Sequence, residues 1–159
     1  KNCVWAGELM REIVDGTVRI FPAGPGKSRV FYINLPNKVR SESPFSEVIV
    51  AYSNITYTGA IEFYYLVHKI ETQTKLVDVL ATVKVDLGYK KVRAPSAWYD
   101  ICETARRISS EEYSALARDK ENTLLFFNPS TEKLVDVSGW SYKKLAESVL
   151  VNSSPRIID

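Results

Sequence analysis

Apolar and polar positions along the chain switch between two periods, and the switches mark the expected elements. Thr17-Val18-Arg19-Ile20-Phe21 alternates like a strand, and Arg29 to Leu35 reads as its partner. Between them, Pro22-Ala23-Gly24-Pro25-Gly26-Lys27-Ser28 is built from turn residues and predicts a loop. Ser43-Pro44 predicts a helix start, with serine as the cap and proline at the first helical position, where its missing N–H is not needed. Phe45, Ile49 and Tyr52 then recur at helical spacing, with Val48 and Ile55 beside them.

After Gly59 the period changes to two. Ile61 to Ile70, rich in aromatic and β-branched residues, predicts one arm of a long hairpin, with Glu71-Thr72-Gln73-Thr74 as its turn. The return arm alternates Val77, Val79, Ala81, Val83 and Val85 with polar residues, interrupted by Leu80, which marks an antiparallel strand with one wet side. Beyond Pro95, the residues Ala97, Trp98, Ile101, Cys102, Ala105 and Ile108 make a helical stripe. Ser109 with Glu112 three residues later is a capping box that starts a second helix through Lys120. Thr123 to Phe127 and Lys133 to Val137 form a hairpin around Asn128-Pro129-Ser130-Thr131, and Tyr142, Leu145, Ala146 and Val149 mark a last helix. Strands and helices come in groups, so the expected class is α+β: an antiparallel sheet packed with three to four helices in one domain. The expected boundaries are an N-terminal segment over 1–16, the domain over 17–151 and a tail over 152–159.

Composition changes this picture little. Hydrophobic content of 45% and charged content of 25% in 159 residues are globular values. The net charge of +2 is too mild to announce nucleic-acid binding by itself. Cys3 and Cys102 are the two cysteines, which argues against a disulfide framework and for a reducing compartment. The longest apolar runs, such as Leu124 to Phe127, fall far short of the roughly 20 residues of a membrane span.

Candidate chemistry is sparse. Gly24-Pro25-Gly26-Lys27-Ser28 ends like a phosphate-binding loop, but the first glycine of that motif, five positions before Gly26, is replaced by Phe21, and a strand follows where a helix is required. His68 is the single histidine and falls in an apolar segment, where a half-buried side chain is the ordinary account. Cys102 lies on an apolar stripe and behaves there as a small hydrophobe. No metal-ligand spacing is present, and neither a catalytic residue nor a cofactor is expected. Basic residues are more suggestive: Lys90, Lys91 and Arg93 together, Arg106 and Arg107, Lys143 and Lys144, and Lys27 and Arg29 beside the glycine-rich loop. Solvated charge is the plain account of each pair; a shared face would suit anionic headgroups or RNA phosphates. Phe63-Tyr64-Tyr65 on a strand sends rings to both faces. Either the fold covers both, which is the ordinary outcome, or one set is left for a partner.

Several stretches together carry a family likeness. They are Ser43-Pro44-Phe45-Ser46-Glu47-Val48 followed by Tyr57-Thr58-Gly59 and Phe63-Tyr64-Tyr65-Leu66; Leu80-Ala81-Thr82-Val83-Lys84-Val85 leading to Ala94-Pro95-Ser96-Ala97-Trp98-Tyr99-Asp100; and Glu112-Tyr113-Ser114 through Leu134-Val135-Asp136-Val137. Their order resembles the first helix and strand, the last long strand with its Pro- and Trp-bearing helix, and the closing helix and hairpin of rhabdovirus matrix proteins. The likeness spans Arg29 to Ser138. The short connection Glu71 to Thr74 and the lack of a Pro-Pro-x-Tyr motif suit a plant-infecting or otherwise divergent member.

The resemblance implies a non-enzymatic structural protein of the virion, also present in host cytoplasm and at the inner membrane surface. It implies partners too: other copies of itself, the viral nucleoprotein–RNA complex and an anionic membrane surface, with no small-molecule substrate. Lys27, Arg29, Lys90, Lys91, Arg93, Arg106 and Arg107 are the expected anionic contacts, and Trp5, Leu9 and Met10 the expected self-association contacts. The alternatives are a jelly-roll coat or movement protein binding RNA, and an enzyme using Cys102 with His68.

Overall fold

The computed structural model describes residues 2–40, 47–49, 54–71, 75–89, 91–93, 98–101, 105–151 and 157–158. In chain order the elements are α1 (Asn2–Ile20), β1 (Arg29–Ile33), β2 (Pro36–Arg40), β3 (Glu47–Ile49), α2 (Asn54–Val67), the single turn α3 (Leu76–Val79) and β4 (Leu80–Val85). They continue with β5 (Lys91–Arg93), β6 (Trp98–Ile101), β7 (Arg106–Ile108), α4 (Ser110–Arg118), β8 (Asn122–Asn128), β9 (Lys133–Asp136), α5 (Tyr142–Val151) and β10 (Ile157–Ile158).

The main sheet has the order β7-β4-β1-β8-β9. β1 pairs in parallel with β4 on one side and β8 on the other, and β7 runs parallel to β4. Only β9 reverses, against β8. This corrects the expected antiparallel sheet: its centre is mostly parallel, and the class is closer to α/β. Such pairing requires crossovers between successive strands, and a helix at 54–67 supplies the one from β1 to β4. The winding then reverses, from β7 at one edge through α4 to β8 beyond β1, so right-handed crossovers fall on opposite faces. The packing follows: α1 meets α2 and β9, whereas α4 meets β8 and α5. A mostly parallel sheet between helices also removes the jelly-roll alternative.

Antiparallel pairing survives in a second sheet, β10-β5-β6-β2-β3. It grows from excursions at the C-terminal ends of β1 and β4, so the parallel connection from β4 to β7 passes through β5 and β6.

Four expected elements take another form. Thr17 to Ile20 is the last turn of α1, because Ala6, Leu9, Ile13 and Thr17 repeat at helical spacing and bury one face. Tyr57, Ile61 and Tyr65 do the same for α2, so the expected strand Ile61–Ile70 is mostly helix. Packing of that stripe outweighs the β propensity of its aromatic residues. Trp98 to Ile101 is β6 where a helix was expected, and Glu47–Ile49 is β3 within the expected first helix; Ser43, Pro44, Phe45 and Tyr52 lie outside the described residues. Glu47-Val48, Phe63 to Leu66 and Trp98 to Asp100 belong to the matrix-protein likeness and are here strand, helix and strand where it implies helix, strand and helix.

Three local expectations agree with the structure. Ser109 caps α4, its side chain accepting from the Glu112 N–H at 3.1 Å. β8 and β9 form the expected hairpin and α5 the last helix.

Buried polar groups tie the layers together. Thr17 Oγ1 donates to the Ile13 carbonyl at 2.7 Å and lies 2.7 Å from the Tyr32 hydroxyl, linking α1 to β1. Glu12 accepts from the Leu134 N–H and from Lys133 Nζ, pinning α1 to β9. Gly16 permits the approach: a Cβ there would stand 2.9 Å from Leu134 Cβ. Asn34, with φ of 54°, turns the chain out of β1; its side chain accepts from the Val85 N–H at 2.8 Å and donates to the Val85 carbonyl at 3.1 Å. On the other face the rings of Tyr113 and Tyr142 meet edge to face at 6.1 Å, and the Tyr142 hydroxyl donates to the Asp86 carbonyl.

Candidate functional site

The feature that the fold does not absorb is one side of α2. This helix, Asn-Ile-Thr-Tyr-Thr-Gly-Ala-Ile-Glu-Phe-Tyr-Tyr-Leu-Val, has a single charged residue, Glu62. A helix so apolar on every side is expected to be covered on every side. Its inner side is: Tyr57, Ile61 and Tyr65 are fully buried. The Tyr57 hydroxyl donates to the Pro36 carbonyl, and the Tyr65 hydroxyl donates to the Phe21 carbonyl at 2.6 Å. Burial, with a smaller contribution from the neighbouring Tyr64, holds the Tyr65 phenol above its usual pKa.

The outer side is bare. Phe63, Leu66 and Val67, at i, i+3 and i+4, are 65%, 74% and 55% exposed, and are the exposed large hydrophobic side chains among the described residues. Gly59, one turn earlier, continues the stripe with open space around it. Two different flanks border it. On one side lies Glu62, and Lys69 follows just past the helix end; both are exposed. On the other, the rings of Tyr64 and His68 stack with centroids 4.0 Å apart.

The helix ends in a Schellman motif: the Ile70 N–H reaches the Tyr65 carbonyl at 2.9 Å, and the Lys69 N–H reaches the Leu66 carbonyl at 3.1 Å. The left-handed position, φ of 54°, is occupied by Lys69 where glycine is usual. Ile70 then turns back onto the core, which fixes the outer face as one rigid turn-and-a-half of helix.

The expected contact residues lie on several other elements. Lys27 and Arg29 are exposed at the N-terminal end of β1. Arg106 and Arg107 are exposed on edge strand β7, where Arg106 pairs with Glu112 at 2.8 Å and Arg107 with Asp86 at 3.1 Å. Lys91 and Arg93 sit on β5 in the second sheet, and Lys90 lies outside the described residues. Leu9, expected at an exposed position, is buried because it belongs to the stripe that seats α1 on the sheet, and Met10 is half-buried against the same core. The side chain of Trp5 and the whole of Cys102 are outside the described residues. His68, expected on a strand, is at the end of α2 and exposed, with Nδ1 at 2.9 Å from the Tyr64 carbonyl.

The loop Gly24 to Ser28 leads from α1 into β1, so its N–H groups open a strand at the end of the sheet opposite a doubly wound ligand crevice. Among the described residues no three His, Cys, Asp or Glu side chains gather as a metal site, and no helix is long and apolar enough to cross a membrane.

The outer face of α2 was hidden from sequence reading by a wrong period. Phe63-Tyr64-Tyr65 does send rings to two sides, but as a helix it sends Tyr65 inward and Phe63 outward. Helical spacing of Tyr57, Ile61 and Tyr65 was the signal available. No protein family, curated protein or solved structure matches the chain.

Proposed function

We propose that this chain is a protein-interaction module that acts by adhesion through the outer face of α2. The supporting observation is the stripe of Phe63, Leu66 and Val67, exposed on a helix whose other side is fully packed. Apolar patches bordered by polar residues mark protein-binding surfaces, and a rigid helix face presents anchors at fixed spacing. Adhesion between copies was also the core of the matrix-protein expectation; here it is proposed without the viral setting, because several of the segments behind that likeness fold differently.

Leu66→Gln tests the reading. Leu66 contributes little to the isolated fold, so the free energy of unfolding stays within about 0.5 kcal/mol of the parent. Assembly of the chain, followed by size-exclusion chromatography with light scattering on the pure protein and in native extracts, falls away. A loss of stability of about 2 kcal/mol or more, as for a core leucine, would place the residue in the fold and end the proposal. Assembly indifferent to the substitution would end it too.

A further inference from the structure

We infer that Ser109 is a phosphorylation site, the target of a protein kinase that reads arginine two and three positions ahead of a serine. Arg106-Arg107-Ile108-Ser109 supplies that spacing, and no other serine or threonine of the chain has arginine at both positions. A kinase of this class holds the two guanidiniums on carboxylates beside its own cleft, where charge-assisted, bidentate hydrogen bonds give the recognition.

The fold presents these residues in the form that such a cleft takes. Arg106–Ile108 is β7, an edge strand of the main sheet, with β4 on one side and no paired strand on the other among the described residues. Ser109 continues it with φ of −76° and ψ of 168°, so the segment is extended up to the hydroxyl. The side chains of Arg106 and Arg107 are 62% and 69% exposed, and Ser109 is exposed beyond them. Ile108 is buried and anchors the strand. Basic residues on an edge also ward off a further strand, but that role has no use for a serine at fixed spacing.

Little has to be given up for the kinase to engage. Arg106 pairs with Glu112 and Arg107 with Asp86, and ion pairs this exposed contribute little and exchange readily for other carboxylates. The Ser109 hydroxyl accepts from the Glu112 N–H, a single capping bond, and keeps its own proton to give. Ser110 has arginine only at the more distant of the two positions and is half-buried in the first turn of α4.

The chemistry is phosphoryl transfer from Mg-ATP. Ser109 Oγ bonds to the γ-phosphorus as the bond from that phosphorus to the β,γ-bridging oxygen breaks; ADP leaves, and the hydroxyl proton passes to the aspartate of the kinase's catalytic loop. The phosphoserine carries a charge of about −1.5 to −2. It stands at the N-terminus of α4, where the first N–H groups and the helix dipole favour an anion. Glu111 and Glu112, in the same turn, oppose the new charge. Arg106, which already reaches Glu112, offsets them by turning to the phosphate.

The test is incubation of the intact, folded chain with Mg-ATP and the catalytic subunit of cyclic-AMP-dependent protein kinase, a kinase of this preference. Intact-mass and fragment mass spectrometry then count and place the phosphate. One phosphate on Ser109 is expected. Arg106→Ala and Arg107→Ala each lower kcat/KM for the chain about tenfold or more, because each removes a recognised guanidinium. Lys143→Ala, which removes an exposed cation from α5, leaves it within about twofold. Ser109→Ala takes no phosphate, whereas Ser109→Thr keeps an acceptor and a capping hydroxyl and is still modified. Urea titration establishes that each variant is folded under the assay conditions. A folded parent chain that takes no phosphate, takes it on Ser110 or elsewhere instead, or takes it at a rate indifferent to both arginines overturns the assignment.

Discussion

Replacing Asn34 by alanine should destabilise this chain strongly. The residue is fully buried at the point where the chain leaves β1. Its own N–H still reaches the Val83 carbonyl at 3.1 Å, as a strand residue would, but its backbone then turns away with φ of 54°. The side chain takes over the ladder by bonding both the N–H and the carbonyl of Val85, and its amide also lies 3.5 Å from the Tyr89 hydroxyl. Alanine removes all of this in a buried setting, where each polar group left without its partner costs about 1–3 kcal/mol. The left-handed backbone adds roughly 1 kcal/mol for alanine, which asparagine tolerates better.

The expected loss is thus about 3–5 kcal/mol, or a fall in Tm of about 10 °C for a chain of this size. Urea unfolding followed by far-UV circular dichroism measures it. Asn34→Gly separates the two causes: it keeps the conformation and loses the bonds, so it should be less harmful than alanine by about 1 kcal/mol. A loss below about 1 kcal/mol for Asn34→Ala would show that the side chain does not hold β1 to β4 as described. Equal effects of glycine and alanine would remove the conformational part.

Two further outcomes follow from the same packing. Gly16→Ala should lower stability by about 1 kcal/mol in urea titration: alanine gains about 1 kcal/mol of helix preference, but its Cβ would press to 2.9 Å from Leu134 Cβ, and such overpacking costs about 1–3 kcal/mol; a stabilised variant would refute the close approach of α1 to β9. At alkaline pH, burial holds the phenols of Tyr32 and Tyr89 far above their usual pKa and pushes Tyr113 up from 10.0 to about 12. The folded state therefore favours the neutral phenol. That contribution is whole below pH 10.0 and is lost as pH climbs through about 12, so the denaturation midpoint should fall across this window as tyrosinate absorbance rises. A flat midpoint would mean these phenols are open to water.

The expectations that the structure bears out are local ones. The capping box of Ser109 and Glu112, the turn residues between β8 and β9 and the stripe of α5 depend on near neighbours, and near neighbours are what a sequence displays. The direction of strand pairing is not local. The return arm Val77 to Val85 carries an alternation that any strand with one side less buried would show. Parallel pairing with β1 became possible only once 54–67 had folded as a crossover helix, and that with β7 only through the excursion of β5 and β6.

The candidate surface depended on the same decision. Phe63, Tyr64 and Tyr65 are apolar whichever element they join, and their composition alone established that some partner must cover them. Whether that partner is the chain's own core or something outside is settled by which side α1 and the sheet occupy. That is a property of long-range packing, in which Tyr57, Ile61 and Tyr65 compete for the interior and win it, leaving Phe63, Leu66 and Val67 to face water.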